Sequence, residues 1–395
     1  MPLAPLGYSS NLHAAETVDE LEGVLASFTA EARRRLGWER LGLDLRLGSV
    51  AIRELAADPK PLARLRRALD AAGAAAHSLN AFPLRPFQAA VVKADAYRPD
   101  WTESEREYDT IAIIPVALGL SDDRLVTVST VPGSYRPFGA ARNDHGAIAG
   151  ALGRFAAHAA LAKRACGRQV VLALEPEPWC TLETSHDAVA FWRGPLASHG
   201  VVAAAALLDG DQAAARTAVA EHLGVCFDTC HLSLAFEDQR AAVARLVAAG
   251  VRIAKCQFSA APEVLDPHHD RAGVAALRAL AEPRFMHQTA AASASGSLSK
   301  VEDLDQLDTC LARLPSATAV RSHFHIPVFR EPQGSGLSST VADSRIGLAA
   351  CIAAGCEHLS VETYTWSILA AHERDALDGT VRELVALQQA VQTAG

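Results

Sequence analysis

Val225-Cys226-Phe227-Asp228-Thr229-Cys230-His231 is a short apolar run that ends in a carboxylate, with an imidazole three residues further on. A charge on a buried parallel strand is expensive unless it sits at the strand end and has a partner. An Asp in that position, followed by a His at the mouth of the next loop, is how a β/α barrel presents ligands. The stretch predicts a parallel strand of such a barrel, provided the rest of the chain supplies the other staves.

Working outward, strand-like runs alternate with helical stretches. Leu6 to His13, Leu41 to Leu47, Ala74 to Phe82, Arg124 to Thr130 and Val170 to Glu175 precede the opening stretch, and Val251 to Phe258 follows it. Regular alternation of this kind predicts a parallel sheet with right-handed crossovers. The rhythm then breaks. Arg284 to Thr289, Ala319 to Phe329 and His358 to Thr365 are also strand-like, more pieces than an eight-stave barrel holds. Lys255 lies 27 residues past Asp228, and His325 lies 37 before Glu362, each the spacing of one β/α unit. The expectation is therefore one TIM (β/α)8 barrel domain over residues 1–395, with an insertion at 260–318 on the catalytic face. The tract Ala290 to Ser297 is expected to be a flexible loop, and Gly334 to Ser339 a second one.

The bulk properties narrow the function. The 395 residues are half hydrophobic and carry a net charge of −8, so the clustered Lys and Arg of a nucleic-acid surface are not expected. One locally basic pocket for an anionic metabolite remains compatible with that balance. The eight cysteines form no CxxC pair and no repeating spacing, which points to reduced thiols rather than a disulfide frame or a structural zinc site. No basic-then-apolar leader and no membrane-length apolar run is apparent. A cytoplasmic protein acting on a small molecule is expected, without a membrane span or nucleic-acid partner, and compatible with a homo-oligomer.

Four strand ends deliver polar groups: Glu175, Asp228, His325 and Glu362. Strand alternation points Val171 and Ala173 inward with Glu175, Cys226 with Asp228, and His358 and Ser360 with Glu362. The residues directly beneath the acids are thus small and leave room for a pocket. On the Ala319 strand, Arg321, His323 and His325 are expected to share a face. Three carboxylates and an imidazole on one rim repel unless a cation sits among them. This donor set suits Mn²⁺, Mg²⁺, Co²⁺ or Zn²⁺. Such an ion chelates a hydroxy-carbonyl group and acidifies the adjacent C–H, while Glu175 and Glu362 move protons. Lys255, Gln257, His323, His287 and Asn80 are further candidates for substrate contact, and any of His287, His323 or His325 is open as the imidazole that completes the site. Glu177 lies between Pro176 and Pro178 and is assigned to the loop.

Leu174-Glu175, Asp228-Thr229-Cys230-His231, His323-Phe324-His325 and Val361-Glu362-Thr363 resemble, in order, the metal-site motifs of the xylose-isomerase-like barrel superfamily, most of all its sugar phosphate isomerase/epimerase branch. That resemblance implies metal ligation by Glu175, Asp228, His325 and Glu362, with Glu175 and Glu362 as the acid/base pair and His231 as a substrate contact. The chain departs from the pattern where the strand after Asp228 brings Lys255 and Gln257 instead of a His. Over its whole length, through Gly7 to His13, Leu79 to Pro83, Tyr97 to Trp101, Lys255 to Ser259, Met286 to Gln288, His323 to Pro327 and Glu362 to Trp366, the chain resembles the metabolite traffic protein EboE family. This implies a barrel tied to a secondary metabolite. Three functions follow as expectations: a metal-dependent isomerase or epimerase of a sugar, sugar phosphate or polyol; a non-catalytic metabolite-binding protein; and a metal-dependent hydrolase.

Overall fold

The computed structural model describes residues 5–330, 336–369 and 374–394. Eight parallel strands close into a barrel: β1 (Gly7–Ser9), β2 (Leu41–Arg46), β3 (Ala74–Asn80), β4 (Leu125–Thr130), β5 (Gln169–Leu174), β6 (Leu223–Asp228), β7 (Ile253–Phe258) and, after a long excursion, β13 (Leu359–Val361), which pairs with both β7 and β1. The strand inferred from the Val225 stretch is β6. Helices between the strands begin and end on the expected signals. Thr17 closes a capping box with Glu20. The helix His145–Cys166 starts on the Asp144 side chain and stops at Gly167, whose φ of 74° suits glycine.

The barrel interior follows from the period of two. Val171, Ala173, Cys226 and Ala254 form a small apolar cluster of their own, separate from the main core between barrel and helices. Lower down, the His77 ring fills the lumen edge-on to His358 at 5.1 Å. Gly42 has no room for a side chain, since a Cβ there would come within 2.2 Å of the Pro5 carbonyl oxygen and 2.6 Å of the His77 ring.

Residues between β7 and β13 form a second sheet, antiparallel, from β8 (Pro262–Leu265), β9 (Thr289–Ser293), β10 (Leu298–Val301), β11 (Ala317–Ser322) and β12 (Ser338–Ser339), in the order β10-β9-β11-β8-β12. Four expectations change here. The Ala319 piece is not a barrel stave: it pairs with β8 and β9, because alternation looks the same in either sheet type and only the partners decide. The sheet it joins runs past residue 318, to Ser339. The tract from Ala290 is strand β9 and the hairpin into β10, buried as far as Ser293, not a loose loop. Of the loop expected at 334–339, Gly334 and Ser335 lie outside the described residues, while Ser338 and Ser339 pair with β8.

This sheet is tied to the carboxyl end of the barrel. Lys300 pairs with Glu183, Lys93 with Asp303, and Gln288 Nε2 donates to Tyr97 Oη at 2.6 Å. No helix among the described residues is long and apolar enough to cross a membrane.

Candidate metal centre

Glu175 follows β5 directly, Asp228 ends β6 and Glu362 follows β13, so three staves deliver carboxylates to one rim. One donor oxygen from each lies within 4.8 Å of the other two. All three side chains are buried.

The three acids are held differently. Asp228 caps the helix Thr229–Leu234, its Oδ1 accepting from the Cys230 and His231 amides at 2.7 and 3.1 Å and from Ser259 Oγ at 2.8 Å. Glu362 Oε1 accepts from Asn11 Nδ2 at 2.6 Å and Ser9 Oγ at 3.1 Å, and its Oε2 accepts from Gln257 Nε2. Glu175 has no comparable support. Its Oε2 and the Oδ2 of Asp228 are buried with no hydrogen-bond partner. An orphaned buried carboxylate oxygen is costly, and a cation between the two removes that cost.

The electrostatics agree. Burial, then the charges of Glu362 and Asp228, push Glu175 well above the usual carboxylate range. Burial, then Asp228, raises Glu362 to about 8. Glu177 also rises, through burial and then Asp228. Asp228 goes the other way: burial would raise it, but the His231 and His325 imidazoles, the Ser259 hydroxyl and the His231 amide hold it below its ordinary value. Burial depresses both imidazoles, His231 to about 4. Neutral rings exert little Coulomb pull, so the hydrogen bonds are the cause that persists. Without a cation, protons must neutralise this rim; with one, the acids ionise.

The remaining expected residues divide. His231 and His323 line the cleft with Glu175, His325 and Glu362, under Asn11, Phe82, Tyr97, Phe285 and Tyr364. His325 also gathers with Asp228 and Cys230. Its Nδ1 meets the Glu362 carbonyl at 2.6 Å.

Lys255 lies inside the barrel, its Nζ 2.5 Å from Asp44 Oδ2 and 3.0 Å from Ser129 Oγ. Fully buried there, it acts as a counter-ion beneath the acids rather than as a cleft residue. Gln257 is bound to Glu362 rather than facing the cleft. His287 stacks on Phe324 at 3.6 Å and bridges Glu282 Oε1 to the His323 carbonyl, one layer behind the site. Asn80 accepts from the Phe82 amide at 2.8 Å, which is the turn-forming role. Arg321 does not share a face with the two histidines: it pairs with Glu263 and Asp343, since β11 ends at Ser322 and the alternation ends with it.

Glu177, Asn11 and Tyr364 also line the cleft and are not among the expected site residues. Flanking prolines assign Glu177 to a loop, and that loop carries it, buried, into the cleft, with Oε1 accepting from Tyr97 Oη at 3.2 Å. Asn11 and Tyr364 carry no spacing signal of their own.

No family model and no curated protein matches this sequence. Solved structures do. A xylose isomerase-like TIM barrel protein from Mycobacterium smegmatis in complex with magnesium is similar over 99% of this chain and 97% of its own, at 14% identity and a TM-score of 0.52. An L-ribulose 3-epimerase is similar over 100% and 97% at 14% identity and a TM-score of 0.48. An IOLI protein with a binding zinc atom is similar over 99% of each chain at 10% identity and a TM-score of 0.46. The closed eight-strand parallel barrel with its surrounding helices is the xylose isomerase-like TIM-barrel fold.

Proposed function

We propose that the chain is a divalent-metal-dependent isomerase or epimerase of a small polyol or sugar. In this reading Glu175, Asp228 and Glu362, with His325 beside Asp228, hold the cation. The observation that carries the reading is the pair of partnerless oxygens, Glu175 Oε2 and Asp228 Oδ2, buried on one rim. Neighbours of the same fold are named for sugar epimerisation and for bound magnesium or zinc, which agrees with this donor set.

When bound, the cation supplies Lewis-acid polarisation of a hydroxy-carbonyl group. The protein's own groups do the proton work. Glu362 receives three hydrogen bonds, which favour its ionised form and make it the base. Glu175 would hold the cation through Oε2 and leave Oε1 to relay a proton back to the carbon. Tyr97, Phe82 and Phe285 wall the cleft against water, and His231 faces the substrate. Lys93 is the one Lys or Arg among the described residues lining the cleft, and Asp303 occupies its amine. An unphosphorylated substrate therefore fits better than a sugar phosphate. In this reading the reaction belongs to a secondary-metabolite pathway, which the sequence resemblance to the metabolite traffic family supports, and takes place in the cytoplasm.

A second reading, a non-catalytic metabolite-binding protein, is favoured by one contact: Gln257 occupies Glu362 Oε2, where a base needs a free oxygen. A thermal-shift screen of metal-loaded protein against sugars and polyols, followed by each hit in D₂O, separates the two. Deuterium entering beside the carbonyl, and lost in Glu175→Gln, supports the enzyme. Binding without exchange supports the carrier.

A further inference from the structure

The other end of the barrel holds a separate cavity. It measures about 930 Å³ and opens where β4, β5, β7 and β13 begin, whereas the three acids stand where β5, β6 and β13 end. The amino face of such a barrel ordinarily serves stability, and protein interiors are close-packed, so a space of this size there is not a packing feature. It falls in the range that small-molecule pockets occupy. Leu125, Val251 and Ile253 supply apolar lining, and the buried His358 ring lines it too, its Nδ1 2.8 Å from Thr127 Oγ1.

Four charged side chains line the same cavity: Asp123 and Arg124 ahead of β4, Arg252 ahead of β7 and Glu357 ahead of β13. Arg124, Arg252 and Glu357 form no ion pair and no side-chain hydrogen bond among the described residues, and the Asp123 carboxylate is met only by Ser121 Oγ at 3.0 Å. Arg252 and Glu357 come from neighbouring staves and still do not pair with each other. The helices Gln239–Ala248 and Val341–Ala353 also end at this mouth, and their last carbonyls add partial negative charge. Unpaired charges of both signs therefore share one cavity with apolar walls.

This lining selects the ligand. A simple anion would meet the acids and the helix ends, and a simple cation would meet the guanidiniums. A molecule that carries both charges satisfies both, because a guanidinium fork matches a carboxylate while the acids and helix carbonyls accept from an ammonium. We propose that the amino end of the barrel binds a small zwitterion with an apolar body, an aliphatic α-amino acid. Arg252 takes its carboxylate, Glu357 its ammonium, and Leu125, Val251 and Ile253 its side chain. The site is distinct from the metal centre, and the proposal goes beyond the isomerase reading without requiring it.

Calorimetric titration of the full chain with L-leucine tests this, with isovalerate and isopentylamine as the two halves of the same molecule. Leucine is expected to bind saturably and each half at least about tenfold more weakly, since each half forfeits a hydrogen-bonded charge contact. Arg252→Ala and Glu357→Gln are each expected to weaken leucine binding by at least about tenfold on the same ground, while Arg67→Ala, on the helix Pro59–Ala72 outside the cavity, leaves it unchanged. No saturable leucine binding, a half that binds as tightly as leucine, an affinity unchanged in Arg252→Ala or in Glu357→Gln, or an equal loss in Arg67→Ala overturns the proposal. If either cavity variant does not fold, crystals of the wild type soaked in leucine decide. Density for the amino acid in this cavity is expected, and density elsewhere or nowhere overturns the site.

Discussion

Asn11 Nδ2 donates to Glu362 Oε1 at 2.6 Å, so the turn after the first barrel strand positions a carboxylate from the last. The two residues are 351 positions apart in the chain but on neighbouring staves, because β1 pairs with β13 to close the barrel. A hydrogen bond to a charged group contributes about 1.5–3 kcal/mol. Asn11→Ala is expected to keep the fold and lower turnover by roughly 10- to 100-fold, measured as deuterium exchange into a bound sugar. Unchanged exchange would remove Glu362 from the chemistry.

Lys255 and Asp44 form a fully buried pair. Burial opposes the ammonium, but Asp44 and then the neighbouring Cys226 and Glu175 outweigh it and hold the Lys255 pKa above its ordinary value. Removing one partner of such a pair costs about 3–5 kcal/mol, because the other charge is left stranded. Lys255→Met is expected to lose that much in urea denaturation, and Lys255→Met with Asp44→Asn to recover part of it. Equal losses in the single and double variants would show that the amine matters for something other than Asp44.

Asp228 Oδ1 is committed to the helix cap and Ser259, and Oδ2 is bare. Asp228→Asn is therefore expected to keep the cap and the melting temperature of metal-free protein, while weakening divalent-ion binding by at least about tenfold, the lower range for disturbed metal shells. Calorimetric titration measures this. A collapse of the metal-free fold with unchanged ion affinity would make Asp228 a capping residue only.

Glu383 tells on pH. It accepts from Thr363 Oγ1 at 2.7 Å and the Val328 amide at 3.2 Å, joining the segments that carry Glu362 and His325. Burial raises it from 4.5 to about 8, against the pull of those bonds. The folded state thus holds a proton that the unfolded chain releases, so this contribution is full below pH 4.5 and is lost as pH rises through about 8. Metal-free wild type is expected to lose stability over this window more steeply than Glu383→Gln, by up to about 1.4 kcal/mol per pH unit. Parallel slopes in denaturant melts would contradict that assignment.

Glu175, Asp228 and Glu362 could be found from sequence because each ends a short apolar run, and burial makes such a carboxylate hard to explain otherwise. Their convergence then follows from barrel closure. The imidazoles were visible only as residues. His323 and His325 come from the end of an antiparallel sheet whose strands alternate just as parallel staves do, so their approach to His231 rests on tertiary packing that periodicity does not encode. The sequence shows the strand that carries Lys255 but not its position beneath the acids, since its partner Asp44 is 211 residues away. Glu177 is hidden by its flanking prolines, which mark a loop, and at the carboxyl end of a barrel a loop is where a site is built.

The central claim is that a divalent cation sits among the three strand-end carboxylates. Anomalous scattering from crystals grown with saturating Mn²⁺ tests it most directly. The account predicts a peak bonded to Glu175 Oε2 and Asp228 Oδ2, with Glu362 in the same shell. A saturated crystal with no peak at those oxygens would contradict it.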